Sequence, residues 1–292
     1  MVCDNVIGLV FSSCQTFSCS GSGTFYVKLC LFSVISTVSN GGAVYISSSS
    51  SNSVFNQNTF VECVTTKVGG GIYIHSGYNL NISECCFSDC QALDSQVHYS
   101  YVQKHNFWLV TSQKSSPTGL GNTRVIYLYG GVANVDDINV SYCRLKDYDA
   151  IDIRSTSNSL VKFSTFASNI ISLVCEFSDT NARCNSCNIV NNTEPVTNWG
   201  LFYSFGSNKL TVTSCVIKSN TFANLISGSA VFSQCILYSN SFTTSATLAD
   251  TPTYVFNHFS SNLCKAHPHK TKLVSFMARR VLLCCLSNWV LH

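Results

Sequence analysis

The sequence predicts an all-β chain folded as a single-stranded right-handed parallel β-helix of about eleven coils. Three observations predict it. An apolar residue followed three positions later by Asn or Cys recurs every 20 to 28 residues, and repeats of that length mean a solenoid. The positions around it alternate apolar and polar with the period of a strand. Ala, Glu, Lys and Leu, which favour helix, are scarce, and Ser, Thr and Asn take their place.

The repeat anchors run in order through Phe11–Cys14, Ile35–Val38, Phe60–Cys63, Phe87–Cys90, Leu145–Tyr148, Phe166–Asn169, Ile189–Asn192, Ile217–Asn220, Leu237–Asn240 and Phe259–Asn262. The copies at 35 and 145 are degenerate. The gap of 58 between 87 and 145 is about twice the period, so one coil is hidden there. Two positions before the anchors stand Asn58, Cys85, Cys143, Ser164, Cys187, Cys215, Cys235 and Asn257. Like residues in successive coils predict interior columns: a narrow Cys column, a Phe/Ile/Leu column that supplies buried apolar area, and an Asn column. Asn is expected to take the left-handed backbone at each corner and to bond along the axis. Cys187, Cys215 and Cys235 are expected to be reduced, because stacked side chains point the same way and disfavour disulfide geometry.

Charge divides the chain. Only 11% of the 292 residues are charged, while 46% are hydrophobic, so the low charge does not signal disorder. The net charge of +3 comes from residues 263–292, which carry Lys265, Lys270, Lys272, Arg279 and Arg280 and no acid. Residues 1–262 are read as the β-helix, and 263–292 as a basic tail, either a cap or the remnant of an anchor. The body has no basic stripe of the kind that tracks nucleic acid. Val6–Phe11 is too short for a leader core, and Arg279–Arg280 interrupt the apolar C-terminal stretch. The expectation is a monomeric rod, or a fragment of a longer secreted or membrane-tethered protein.

A second motif precedes the anchors: Gly41-Gly42-Ala43-Val44-Tyr45-Ile46, then Gly69-Gly70-Gly71-Ile72-Tyr73-Ile74. Weaker echoes are Ala150-Ile151-Asp152-Ile153 and Gly200-Leu201-Phe202-Tyr203. Gly-Gly-Ala-Val paired in register with Phe-x-x-Asn resembles the polymorphic outer-membrane protein family, the β-helical surface adhesins of chlamydiae with relatives in trichomonad protists. The resemblance covers roughly residues 1–262. The frequent Cys suits the protist relatives better, and nothing in the chain resembles the bacterial outer-membrane barrel. It implies a non-enzymatic binding or adhesion rod at a cell surface or secreted, without cofactor. Its partner would be a protein or glycan of a host or neighbouring cell.

Two other readings stand beside it. One is a purely structural spacer. The other is a carbohydrate-active, pectinase-like enzyme, which gathers carboxylates on adjacent coils for acid and base work. Its candidates are Asp136, Asp137, Asp147, Asp149 and Asp152, with Arg124, Arg144 or Arg154. Asp149-Ala150-Ile151-Asp152-Ile153 resembles the Asp-Asp-Ala-Ile stretch of polygalacturonases, whose other motifs are absent. These acids are therefore expected to be solvated turn residues, with no catalytic group. No metal centre is expected: Cys184-x-x-Cys187 has no second pair, and Cys264, His267, His269, Cys284 and Cys285 match no familiar spacing.

The hidden coil holds Tyr99, Tyr101, His105 and Trp108, which are the candidates for a binding loop, although Phe107, Trp108 and Val110 would equally serve a degenerate coil packed inside the rod. Asn81, Asn139 and Asn191 head N-x-Ser/Thr sequons, the candidate glycosylation sites.

Overall fold

The computed structural model describes residues 5–7, 10–11, 16–20, 23–47, 51–115, 124–145, 148–154, 157–178, 181–195, 199–205 and 209–244. Of 5–7, 10–11 and 244 only the backbone is described. The tail 263–292, the coil anchored at Phe259, Asn257 and the Cys/His set from Cys264 to Cys285 lie outside these residues, as do Cys14 and Asp147.

Among the described residues every element is a strand and every pairing between strands is parallel. The chain is an all-β parallel β-helix. Each coil contributes three strand positions, and each position pairs with its equivalent in the coils before and after. The first position stacks Phe17, Val44, Ile72, His98, Ile126, Ile151, Cys175, Phe202 and Ile226. The second stacks Val27, Phe55, Ile82, Phe107, Val135, Val161, Cys184, Val212 and Phe232. The third runs Phe11, Phe32, Phe60, Phe87, Ser112, Val140, Phe166, Ile189, Ile217 and Leu237. The described coils are fewer than the eleven expected.

The third column corrects two anchors. Phe32, not Ile35, stacks on Phe60, and Val140, not Leu145, precedes Phe166. The hidden coil is anchored by Ser112, which no apolar pattern reveals. Where aromatic residues fall on consecutive coils their rings stack, Phe32 on Phe60 at 4.7 Å and Phe60 on Phe87 at 4.5 Å.

Each coil turns two corners around the third strand, and each corner is one residue in the left-handed region. Before the strand these are Leu29, Gln57, Glu84, Leu109, Asp137, Phe163, Ser186, Ser214 and Gln234. After it they are Val34, Glu62, Asp89, Lys114, Tyr142, Ser168, Asn191, Ser219 and Ser239. A lone left-handed residue between extended ones bends the chain sharply without a loop, at roughly 1–2 kcal/mol for a side chain other than glycine. The expectation that the ladder Asn takes this conformation is therefore corrected: it falls on the residue before it. The Asn points inward immediately after the corner.

That inward position is an amide ladder. The Nδ2 of Asn169 donates to Oδ1 of Asn192 at 2.9 Å, Asn192 to Asn220 at 3.0 Å, and Asn220 to Asn240 at 3.0 Å. Each of these Nδ2 groups also donates to a main-chain carbonyl of the preceding coil, on Val140, Phe166 and Ile189 respectively. The backbone N–H of Asn169 and of Asn192 donates to the next Oδ1. Cys143 heads this column, its N–H donating to Asn169 Oδ1 at 2.9 Å, so it belongs with Cys63 and Cys90 rather than with Cys187. The other corner is lined by Cys30, Asn58, Cys85, Ser164, Cys187, Cys215 and Cys235. The described cysteines other than Cys19 and Cys86, which are disulfide-bonded, are free and buried. Burial pushes the thiols of Cys85 and Cys143 up to about 12.

The glycine motif opens the first strand. Gly41 and Gly69 are left-handed, with φ of 72° each. A Cβ on Gly70 would lie 2.1 Å from the Gln96 carbonyl oxygen and 2.7 Å from that of Gln91. The glycine pair thus lets consecutive coils approach through backbone alone.

Two outcomes follow. Asn192→Ala strips partners from Asn169, Asn220 and the Phe166 carbonyl and should lower the unfolding free energy in urea by about 3 kcal/mol. Gly70→Ala should abolish soluble folding, since the clash is with backbone; recovery of a rod with the parent's circular dichroism spectrum and melting point would refute that account.

Candidate functional site

Three features outside ordinary rod packing stand along the first strand position and the hidden coil. The outward residue of the first strand forms a row down the rod: Ser18, Tyr45, Tyr73, Tyr99, Tyr127, Asp152, Glu176, Tyr203 and Ser227. Val-Tyr-Ile and Ile-Tyr-Ile place tyrosine outward because its neighbours face the core. Tyr45 stacks on Tyr73 at 5.5 Å, Tyr73 on Tyr99 at 4.9 Å, and Tyr127 is tilted 5.0 Å from Tyr99. A stacked ring has its faces covered by its neighbours. Tyr45 ends this stack: its counterpart one coil earlier is Ser18, too small to cover a phenol. Its ring borders a surface depression of about 300 Å³ lined by Thr16, Ser18, Ser39, Asn40, Tyr45 and Lys67.

Where the row changes from tyrosine to acid, a charged cluster forms. Asp152 and Glu176 are successive row residues, and Asp149 begins the strand Asp149–Arg154. One carboxylate oxygen from each of Asp149, Asp152 and Glu176 lies within 4.8 Å of the others. Arg124 Nε donates to Asp152, and its Nη1 to Asp94 at 3.1 Å. Arg154 Nε donates to both oxygens of Asp152 at 3.2 Å, and its Nη2 to Glu176 at 3.1 Å. The Arg124 guanidinium lies 4.6 Å from the Tyr127 ring centre and 4.8 Å from that of Tyr148. Asp149 and Asp152 are fully buried and Glu176 nearly so, which overturns the expectation of solvated turn acids. Burial pushes Asp152 up to about 7, with Glu176 adding to it and Arg124 and Arg154 opposing. Burial, then Asp152 and Glu176, raise Asp149 well above the carboxylate range. Burial works against the charge of Arg124, but Asp152, Asp94 and Asp149 outweigh it and hold it protonated.

Sequence reasoning named Asp149, Asp152, Arg124 and Arg154, but not Glu176. The signal was the register: Ile151-Asp152-Ile153 and Cys175-Glu176-Phe177 present an acid between two core residues one coil apart. The remaining candidates are elsewhere. Asp136 pairs with Lys162 at 2.9 Å, Asp137 forms a left-handed corner, and Arg144 is exposed in an isolated parallel bridge with Ile170.

The third feature is the hidden coil. Tyr99, Tyr101, His105 and Trp108 do not form a loop; they lie in one strand, His98–Gln113, paired on both sides. The structure brings Tyr99 into the outer row, with Tyr101 and Trp108 exposed, but places His105 inside the rod. His105 Nε2 lies 3.3 Å and 3.2 Å from the carbonyl oxygens of Tyr129 and Gly130, and Nδ1 lies 3.0 Å from Ser100 Oγ. Carbonyls only accept, so Nε2 carries the proton and Nδ1 accepts from Ser100. Burial pulls the pKa of His105 down to about 4, although those carbonyls favour the charged ring. His98, packed edge-on to Phe107 at 5.2 Å, is pulled well below the ordinary value by burial and by His105.

The sequons separate by exposure. Asn191 is an exposed corner residue, Asn81 accepts a 2.8 Å bond from the Asn106 amide, and Asn139 is buried between paired strands. A glycan at Asn139 has no room in the folded rod.

No family model, no curated protein and no solved structure matches the chain. Among the described residues no helix is long and apolar enough to cross a membrane.

The interior histidine sets an acid limit. Its folded pKa is depressed, so its contribution is complete above the unfolded value of about 6.5 and is lost as pH falls through about 4. The loss should be on the order of 3 kcal/mol once the ring is protonated. Urea unfolding of the parent and of His105→Asn across pH 7 to 4 should show the parent losing stability more steeply. Parallel pH curves would remove His105 from the account.

Proposed function

We propose that the chain is a non-enzymatic binding rod of a cell-surface or secreted protein, and that it takes a glycan at the Tyr45 end of the aromatic row. The observation that carries this reading is the uncovered ring face of Tyr45 on a depression of hydroxyls, one amide and Lys67. An aromatic face beside fixed hydrogen-bonding groups suits a sugar ring, whose C–H face is apolar and whose rim is hydroxylated. Lys67 favours an acidic sugar. The resemblance of Gly41–Val44 and Phe166–Asn169 to the repeats of the polymorphic outer-membrane proteins supports the same adhesive role. A pure spacer would need no such depression.

A pectinase-like enzyme is the second reading, favoured by the assembly of Asp149, Asp152 and Glu176 beside two arginines. Against it, a general acid or base must come within hydrogen-bond reach of its substrate, about 2.6–3.2 Å. Asp149 and Asp152 are sealed beneath side chains of the rod.

The two separate on a glycan array and a turnover assay. The parent chain should retain acidic glycans, and Tyr45→Ala and Lys67→Ala should each weaken retention at least tenfold while melting as the parent does. Binding unaffected by both substitutions sinks the Tyr45 site. Turnover of pectin or polygalacturonate that disappears in Asp149→Asn or Asp152→Asn would replace the binding rod with the enzyme.

A further inference from the structure

We infer that Asp149, Asp152 and Glu176 form a binding site for a single calcium ion, although no metal centre was expected from the sequence. The first argument is an orphaned group. Asp149 is fully buried, and neither of its carboxylate oxygens has a donor; the one group within bonding reach is the Glu176 carboxyl, which cannot donate while ionised. Asp152 and Glu176, by contrast, are held by guanidinium groups. A buried carboxylate without a partner is strongly unfavourable, so something must share its charge.

The second argument is charge. Asp94, Asp149, Asp152 and Glu176 face Arg124 and Arg154. With all four carboxyls ionised, two negative charges would remain uncompensated, the amount one divalent cation neutralises.

The third argument is geometry. Calcium takes oxygen ligands at about 2.3–2.6 Å, so oxygens on one ion stand at most about 5 Å apart. The three carboxylates offer oxygens within 4.8 Å of one another. Each carboxylate oxygen keeps a second lone pair when it accepts a guanidinium bond, so Asp152 and Glu176 can serve both. All-oxygen, all-carboxylate ligation excludes the thiophilic metals. Magnesium prefers to keep several waters, which this depth of burial opposes. The Arg154 side chain, which bridges Asp152 and Glu176, is 36% exposed, so the cluster has one face toward solvent.

The competing occupant is a proton shared between Asp149 and Glu176, which would let the two carboxyls hydrogen-bond. The full chain, stripped with a chelator, should bind calcium in equilibrium dialysis with one ion per chain and melt at higher temperature in its presence. Asp149→Asn and Glu176→Gln should each weaken binding at least tenfold and lose the melting shift. Asp136→Asn, remote and paired with Lys162, should behave as the parent. No bound calcium and no melting shift in the parent chain overturns the site, even if a variant fails to fold. Asp149→Asn melting above the chelated parent at pH 7, with calcium inert on both, would assign the cluster to the shared proton instead. Neither result touches the Tyr45 depression, which lies on earlier coils.

Discussion

Everything in this rod depends on in-register parallel pairing between one coil and the next. Each residue is stacked directly between its equivalents about 4.8 Å away, so a side chain must be compatible with what stands above and below it. Like therefore recruits like. Phenylalanine rings lie flat on one another in the interior, asparagine amides bond end to end at one corner, and small thiols line the other. The amide ladder matters most because a corner is where backbone groups lose their strand partners. Asn192 serves its neighbour's N–H and amide, and the preceding coil's carbonyl, with one side chain. The left-handed residue before it turns the chain so that this side chain can enter the core.

The same constraint builds the surface features. Outward residues at one register position form a row whether or not they share chemistry. Tyr45, Tyr73 and Tyr99 in that row stack ring on ring, and Tyr45 stands at the end of the stack, next to Ser18 of the coil before. Where tyrosine gives way to Asp152 and Glu176, the spacing of coils forces two acids together, and Asp149 enters from the start of the same strand. Arg124 from the coil before and Arg154 from the end of the same strand answer part of that charge. The Tyr45 depression and the charged cluster thus lie on the same row but on different coils, and they do not share a residue.

The interior of the hidden coil is a polar layer set between coils whose equivalent strand positions are mostly apolar. His98 and Ser100 occupy core positions of the first strand, His105 lies further along the same strand, and Ser112 takes the place of phenylalanine. Neutral imidazole fills the space, and its donor and acceptor are met by carbonyls and a serine at His105. This layer keeps the pairing register intact while giving up the hydrophobic signal.

The β-helix, its period and its columns were legible because they rest on local patterns that recur: an apolar residue, a corner, then Asn or Cys. The glycine pairs and the reduced thiols at Cys187, Cys215 and Cys235 were legible for the same reason. Register was not legible wherever a column changes chemistry, as at Phe32, Ser112, Val140 and Cys143, because a period of 20 to 28 residues varies with each loop and only backbone pairing aligns the coils. Glu176 escaped notice for that reason. Sequence alone determined that the chain stacks coil upon coil. The tertiary structure decided which residues share a row, that Asp149 and Asp152 are buried rather than solvated, and that Tyr45 keeps an open face, because burial and adjacency across coils arise only when strands distant in sequence pair.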